Sequence, residues 1–225
     1  MALIEVLICS DYPTQLALSA TFAAIGYGPR THGELRIGFV VGVSIADAAL
    51  LIGLVLLFLY AHDESPREVL NGRRRVLTEL LAGVPLILVA LGIGLAVLVA
   101  VQRLAPSLHT VPENPLQALL RSKLNALLLG VVVIVAGGVR EEIQRAFLLH
   151  RFERWLGGAT VGVVVTSVAF GAGHLYQGVD AAVATGLLGA FWGVVYLRRR
   201  SMIAPMVSHA GFDLLQIVQF VVVGR

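Results

Sequence analysis

Three stretches of this chain carry no formal charge over lengths that match a lipid bilayer. Residues 80–102, 155–179 and 181–197 contain no Asp, Glu, Lys or Arg, and residues 37–62 hold only Asp47. A helix needs about 20 predominantly apolar residues to cross the hydrocarbon core. Weaker apolar stretches lie at 12–29, 124–139 and 201–224. The pattern predicts an all-α, polytopic transmembrane helical bundle of about seven spans. They lie near 14–28, 37–60, 79–102, 124–143, 159–175, 181–197 and 203–223. Composition agrees, with 57% hydrophobic and 14% charged residues. Average soluble domains hold about 45–50% apolar and about 25% charged residues. The same balance excludes a disordered chain. A single cysteine, Cys9, excludes an internal disulfide framework and a multi-cysteine zinc site.

The basic residues set a topology. Arg67, Arg73, Arg74 and Arg75 follow the second span; Arg140, Arg145, Arg151 and Arg154 follow or end the fourth; Arg198, Arg199 and Arg200 follow the sixth. These are 11 of the 17 Lys+Arg residues, all in alternate connections. The other six are Arg30, Arg36, Arg103, Arg121, Lys123 and Arg225. Positive-inside bias then puts the N-terminus and the three basic connections in the cytoplasm. The expected location is a multi-pass integral membrane protein, in the plasma membrane if the chain is prokaryotic. The N-terminus lacks a basic n-region and a cleavage site, so no removable signal peptide is expected. The net charge of +3 reads as topology and contact with anionic membrane lipid, not as a nucleic-acid surface. No linker or internal repeat divides residues 1–225, which read as a single integral membrane domain. Gly38 to Gly42 and Gly189 to Gly193 each form a GxxxG pair, expected to serve close helix packing within the bundle.

Chemistry is sought among ionisable groups that hydrocarbon would reject. They are Asp47, Glu141, Glu142, Arg145, His174, His209 and Asp213. Residues 139–154 contain no Pro or Gly and read as one helix. Glu142 points about 100° from Glu141 on it, so both carboxylates cannot aim at one atom without a bend. One glutamate is then a catalytic candidate and its neighbour a supporting group. The plainer reading is a cytoplasmic helix with an i,i+4 Glu141–Arg145 pair. Small residues in Phe170-Gly-Ala-Gly-His174 let backbone approach an imidazole. His209 and Asp213, four apart, share a helical face, where an Asp orients a ring or shares its proton.

The order Glu-Glu…Arg, Phe-x-x-x-His, His-x-x-x-Asp over residues 140–213 resembles the CPBP family, the CAAX-protease and bacteriocin-processing intramembrane proteases. The glutamate and the two histidines stand 33 and 35 residues apart. Residues 186–205 also resemble the family's penultimate helix and turn, whereas residues 1–120 match only in being hydrophobic. The resemblance thus implies family-variable N-terminal spans over 1–120 and a catalytic helical core over 121–225. The family pattern is Glu-Glu-x-x-x-Arg; here Arg145 comes one position early and Ala146 fills the expected slot.

The resemblance implies an endopeptidase that hydrolyses a peptide bond of a membrane-anchored protein or peptide. Glu141 would be the general base that activates water, and His174 would hold that water with it. His209 and Asp213 would bind the developing oxyanion. Because an ionised Asp213 cannot donate, it would instead orient His209 or stay protonated. Glu142 and Arg145 would support. No cofactor is required by this scheme. Zinc stays possible, since Glu141, His174, His209 and Asp213 are an acceptable ligand set, but no His-Glu-x-x-His is present. Neither a Gly-x-Ser-x-Gly elbow nor a Gly-x-Gly-Asp motif occurs. Prenylated CAAX tails and other membrane-anchored peptides remain open as substrates. A non-enzymatic membrane scaffold, or a small proton-coupled transporter using Asp47, Glu141 and the histidines, is the alternative.

For Glu141 to meet His174, the helix after Gly137-Gly138 should dip through the bundle and turn at Gly157-Gly158. Glu141 lies 16 residues before Gly157 and His174 lies 17 after it. An antiparallel hairpin would put them at similar depth, about 24 Å from the turn at 1.5 Å per residue.

Overall fold

The apolar runs fold as helices in a computed structural model that describes residues 1–112 and 114–223. Arg225, counted above with the outer basic residues, lies outside the described residues. The chain runs through α1 (Ala2–Ile8), α2 (Tyr12–Ala24), β1 (Arg30–Thr31), β2 (Glu34–Leu35), α3 (Ile37–Ala61), α4 (Pro66–Leu70) and α5 (Val76–Leu104). It continues through α6 (Lys123–Val132), a π-helical segment (Val133–Arg140), α7 (Glu141–Trp155), α8 (Ala159–Gly173), α9 (Val179–Arg199) and α10 (Ile203–Val223). The bundle is all-α apart from the two-residue strands β1 and β2, which pair as a small antiparallel hairpin.

A helix occurs at each of the seven expected spans, but among the described residues only α3, α5, α9 and α10 are long and apolar enough to cross a membrane. Helix α8 is apolar yet only 15 residues long. The fourth expected span does not end near residue 143. It passes through the π-helical segment straight into the charged α7. The first corresponds to α2, which ends at Ala24 rather than near 28, and a separate short helix, α1, precedes it.

The outer surface is that of an integral membrane protein. On α5, Leu81, Leu88 and Leu95 are 65%, 71% and 66% exposed. They are seven residues apart and so share one face, while Gly83, Ala90 and Gly94 on the opposite side are buried. A monomer in water does not present a leucine stripe of that length; in lipid it costs nothing.

The centre of the bundle is its most polar helix. In α7, every residue from Glu142 to Leu149 is buried, as are Arg151 and Phe152. Leu51, Val55 and Leu59 of α3 pack with Phe147 and Leu149 of α7 and Tyr196 of α9 in the larger core cluster. The charges on α7 are tolerated because each has a partner. Helix α1 runs antiparallel along it: Arg151 Nε donates to Glu5 Oε2 at 2.6 Å, Gln144 Nε2 to the Cys9 carbonyl at 2.8 Å, and Arg140 pairs with Asp11 at 2.8 Å. Glu64, after α3, accepts from Arg151 and, at 3.0 Å, from Arg154, and pairs with His150 at 2.8 Å.

These contacts correct the charge count. Arg140, Arg145 and Arg151 are buried and paired, so they are not loop charges. Arg67, Arg73, Arg74, Arg75, Arg154, Arg198 and Arg200 are exposed, with Arg199 half-buried. The three basic connections do meet at one end of the bundle. Arg200 bonds Glu153 at 2.7 Å, Arg74 donates to the Arg199 carbonyl at 2.9 Å, and Ser201 bonds Asn71 at 2.8 Å.

Helices α7 and α8 form the expected antiparallel hairpin. Gly157 and Gly158 make its turn with φ of +95° and +94°, a region where a side chain would be strained. Both GxxxG pairs pack inside the bundle. A Cβ on Gly189 would meet the Phe170 ring at 2.8 Å, and one on Gly42 would meet Phe22 at 3.0 Å.

Candidate active site

Glu141 opens α7 and His174 follows α8 directly. The hairpin therefore returns the imidazole to the depth of the carboxylate, about 22 Å from the turn for helices of this length. Both line one cavity of about 480 Å³. Its walls come from the α1–α2 break (Asp11, Tyr12), from α7 (Arg145) and from α8 (Phe170). Tyr12 Oη closes one side by donating to the Ala169 carbonyl at 2.6 Å. Irregular backbone at membrane depth, such as the α1–α2 break, is tolerated where it lines a cavity.

His174 is held by its own helix. Its Nδ1–H donates to the Phe170 carbonyl at 2.8 Å, a bond made possible because α8 ends at Gly173 and leaves that carbonyl free. That leaves Nε2 turned away from the bond, and no hydrogen bond to Nε2 is formed among the described residues.

His209 lies at the heart of the site, 4% exposed. Its Nδ1–H donates to Glu142 Oε1 at 2.8 Å. Its Nε2 faces Asp213 Oδ2 at 3.6 Å and Glu141 Oε2 at 3.8 Å. The 100° between the two glutamates is thus bridged by one imidazole, with a different nitrogen turned to each. The ring is sandwiched flat against Trp192, with centroids 3.8 Å apart and planes 19° apart, and Phe170 meets it edge-on. Trp192 is fixed in turn by Nε1–H donating to Ser208 Oγ at 3.1 Å.

The i,i+4 Glu141–Arg145 pair expected from the sequence does not form. Arg145 pairs with Glu142 at i,i+3 instead. Its guanidinium lies over the rings of Phe170, 4.7 Å from the centroid, and Trp192, 5.7 Å away. The early arginine still reaches the second glutamate, and the aromatic faces take up its cationic carbon. Glu142 takes both Arg145 and His209 on Oε1, and is buried. Glu141 keeps an open cavity side. It faces Arg140 Nη2 at 3.4 Å with Oε1 and His209 with Oε2.

The structure therefore brings Glu141, Glu142, Arg145, His209 and Asp213 together; His174 lines the cavity with Glu141 and Arg145, whereas Glu142, His209 and Asp213 stand behind its lining. Among the described residues, no three His, Cys, Asp or Glu side chains form a cluster able to hold a metal ion. Three residues of the site were missed in the sequence. Arg140 counts among the basic connections, Asp11 precedes the expected first span, and Trp192 falls within the run that resembles the penultimate helix of the family. The signals were an arginine next to the glutamate pair just after Gly137-Gly138, and a helix-start Asp-Tyr-Pro inside an apolar run.

Outside the spans, Glu64 and Glu153 show how the basic end is tied. Burial pushes the Glu64 carboxyl up, but hydrogen bonds from Arg151 and His150 outweigh it and hold it below the usual carboxylate range. The Arg200 hydrogen bond likewise lowers Glu153.

Residues 123–215 match the Rce1-like family model, described as type II CAAX prenyl endopeptidase Rce1-like. The match spans α6 through most of α10 and includes all the catalytic candidates. No curated protein and no solved structure matches the chain. The matched stretch is similar to the Rce1-like family, which is consistent with the CPBP resemblance.

Proposed function

We propose that this protein is an intramembrane endopeptidase that cleaves a peptide bond of a membrane-anchored protein or peptide with a water activated by Glu141. The observation that carries the reading is the shared cavity: a glutamate open on one side, a histidine whose Nε2 makes no hydrogen bond among the described residues, and an Rce1-like match over the same residues. The Glu141 carboxylate would take a proton from water held against His174 Nε2, and hydroxide would add to the scissile carbonyl carbon. The carbonyl oxygen, now anionic, would accept from His209 when its Nε2 carries a proton. Glu142 holds that ring through Nδ1, and Asp213 would orient it from the other side. As the C–N bond breaks, Glu141 would return its proton to the leaving amine. The scheme uses no metal.

The exposed arginines at one end of the bundle support a cytoplasmic placement of that end and of α1. The depth of the site supports attack from within the membrane.

The test compares purified wild type with Glu141→Ala and His174→Ala in liposomes. Each is incubated with a panel of membrane-anchored peptide reporters, prenylated and unprenylated, with and without a chelator. Loss of cleavage in both folded variants, and survival of wild-type cleavage in chelator, are expected. Cleavage unchanged in both variants would sink the site.

A further inference from the structure

Two helix irregularities converge on one arginine. The α1–α2 break puts Asp11 at φ +81°, a region few side chains adopt. The π-helical segment ends on Arg140, and such segments gather at functional sites. Arg140 joins them. Its Nη1 meets Asp11 Oδ2 at 2.8 Å and Gln144 Oε1 at 3.4 Å. Its Nη2 meets Glu141 Oε1 at 3.4 Å, and its Nε faces Asp47 Oδ2, in the middle of α3, at 3.7 Å. The Arg140 side chain is 5% exposed and that of Asp47 1%. Buried ions are a poor means of holding helices together, since apolar replacements are often as stable. The cluster calls for another role.

We propose that Arg140 is a positioning residue that orients the Glu141 carboxylate for catalysis, while Asp11 and Asp47 keep its guanidinium from closing onto Glu141. The proposal rests on the protease reading of the site. An arginine left alone with a carboxylate forms a bidentate pair at about 2.7–2.9 Å. That pair would occupy both Glu141 oxygens and leave none for water. Here the Asp11 bond draws Nη1 away and the Asp47 charge sits against Nε. Only Nη2 reaches Glu141, and at a long 3.4 Å. The carboxylate is oriented at Oε1 without being neutralised, and Oε2 stays turned to His209. Both Asp47 oxygens and Arg140 Nε make no hydrogen bond among the described residues, so Asp47 acts through charge. Glu142, Arg145, His209 and Asp213 complete the charged groups around Glu141, with His174 on the same cavity.

Arg140→Gln should lower kcat at least about tenfold with KM within about twofold, because a misplacement of about 1 Å costs about 100-fold in rate. Arg140→Lys should recover part of it. Asp47→Asn should also lower kcat, by letting the guanidinium close. A purely structural ion cluster would lower the melting temperature and leave kcat of the folded protein unchanged. An infrared difference spectrum of wild type against Glu141→Gln isolates the Glu141 carboxylate bands without any substrate. Those bands should move in opposite directions in Arg140→Gln and Asp47→Asn. Unmoved bands, or wild-type kcat in folded Arg140→Gln, would overturn the proposal. If Arg140→Gln fails to fold, the near-isosteric Asp47→Asn decides by the same two readouts. If wild type cleaves no reporter, the protease reading fails, and the infrared shifts still decide the positioning role.

Discussion

Glu142→Gln separates what the buried pair does for the fold from what it does for the site. Glu142 is 1% exposed and Arg145 5%; they pair directly, and Glu142 also accepts from His209 at 2.8 Å. Removing one partner of such a pair strands the other charge and costs about 3–5 kcal/mol. The Phe170 and Trp192 faces over Arg145 return about 0.5–2 kcal/mol of that, so the lower half of the range is expected. For a chain of this size each kcal/mol moves the melting temperature by about 2–4 °C. A fall of about 6–16 °C follows for Glu142→Gln, read by intrinsic fluorescence in detergent, where Trp192 stacked on His209 reports locally. The double variant Glu142→Leu/Arg145→Met removes both charges together. It should regain most of the lost stability, because apolar replacement of a buried pair is often neutral. It should not regain activity, since His209 Nδ1 then has no acceptor. A Glu142→Gln protein as stable as wild type would refute the reasoning. So would a double variant no more stable than the single one, or one with restored cleavage.

Three further outcomes follow from other parts of the bundle. Glu64 sits below its usual value of 4.5, so its contribution to stability is present above that pH and lost as pH falls through its folded value. Glu64→Gln should lower the melting temperature near neutrality and flatten its acid decline; an unchanged acid slope would count against the Arg151–Glu64 tie. Leu88, 71% exposed on α5, should accept Phe silently, whereas Leu88→Lys should cost about 2.5–3.5 kcal/mol of insertion, read as a lower inserted fraction. Gly189→Val places carbon about where the Phe170 ring lies. It should cost about 1–3 kcal/mol and lower cleavage, because Phe170 carries the Arg145 cation and its carbonyl holds His174.

The helices were legible because uncharged runs leave few alternatives, and so was the α7–α8 hairpin, whose glycine pair marks its turn. The glutamates and histidines were legible as costly groups in apolar surroundings. What failed were inferences that treated each charge locally. Arg145 four residues from Glu141 suggested a surface pair, but on a helix buried on every side it turns to whichever carboxylate lies deeper, and that is Glu142. Arg140 and Arg151 were indistinguishable in sequence from loop arginines, because their partners, Asp11 and Glu5, stand more than 125 residues away. The number of crossings was blurred for a related reason. A broken helix and a π-helical segment both interrupt the apolar pattern where the chain lines a polar cavity.

Those distant partners bear on how the protein is organised. The Rce1-like match covers residues 123–215, yet four of the carboxylates that make α7 tolerable at the centre of the bundle lie before residue 65: Glu5, Asp11, Asp47 and Glu64. Tyr12 and Asp11 also supply a wall of the cavity into which Glu141 opens. A helix carrying Glu141, Glu142, Arg145 and Arg151, with Arg140 just before it, cannot sit in an apolar core by itself, since each unpaired charge there would cost several kcal/mol. The N-terminal helices therefore supply the counter-charge that lets α7 sit at the centre of the bundle.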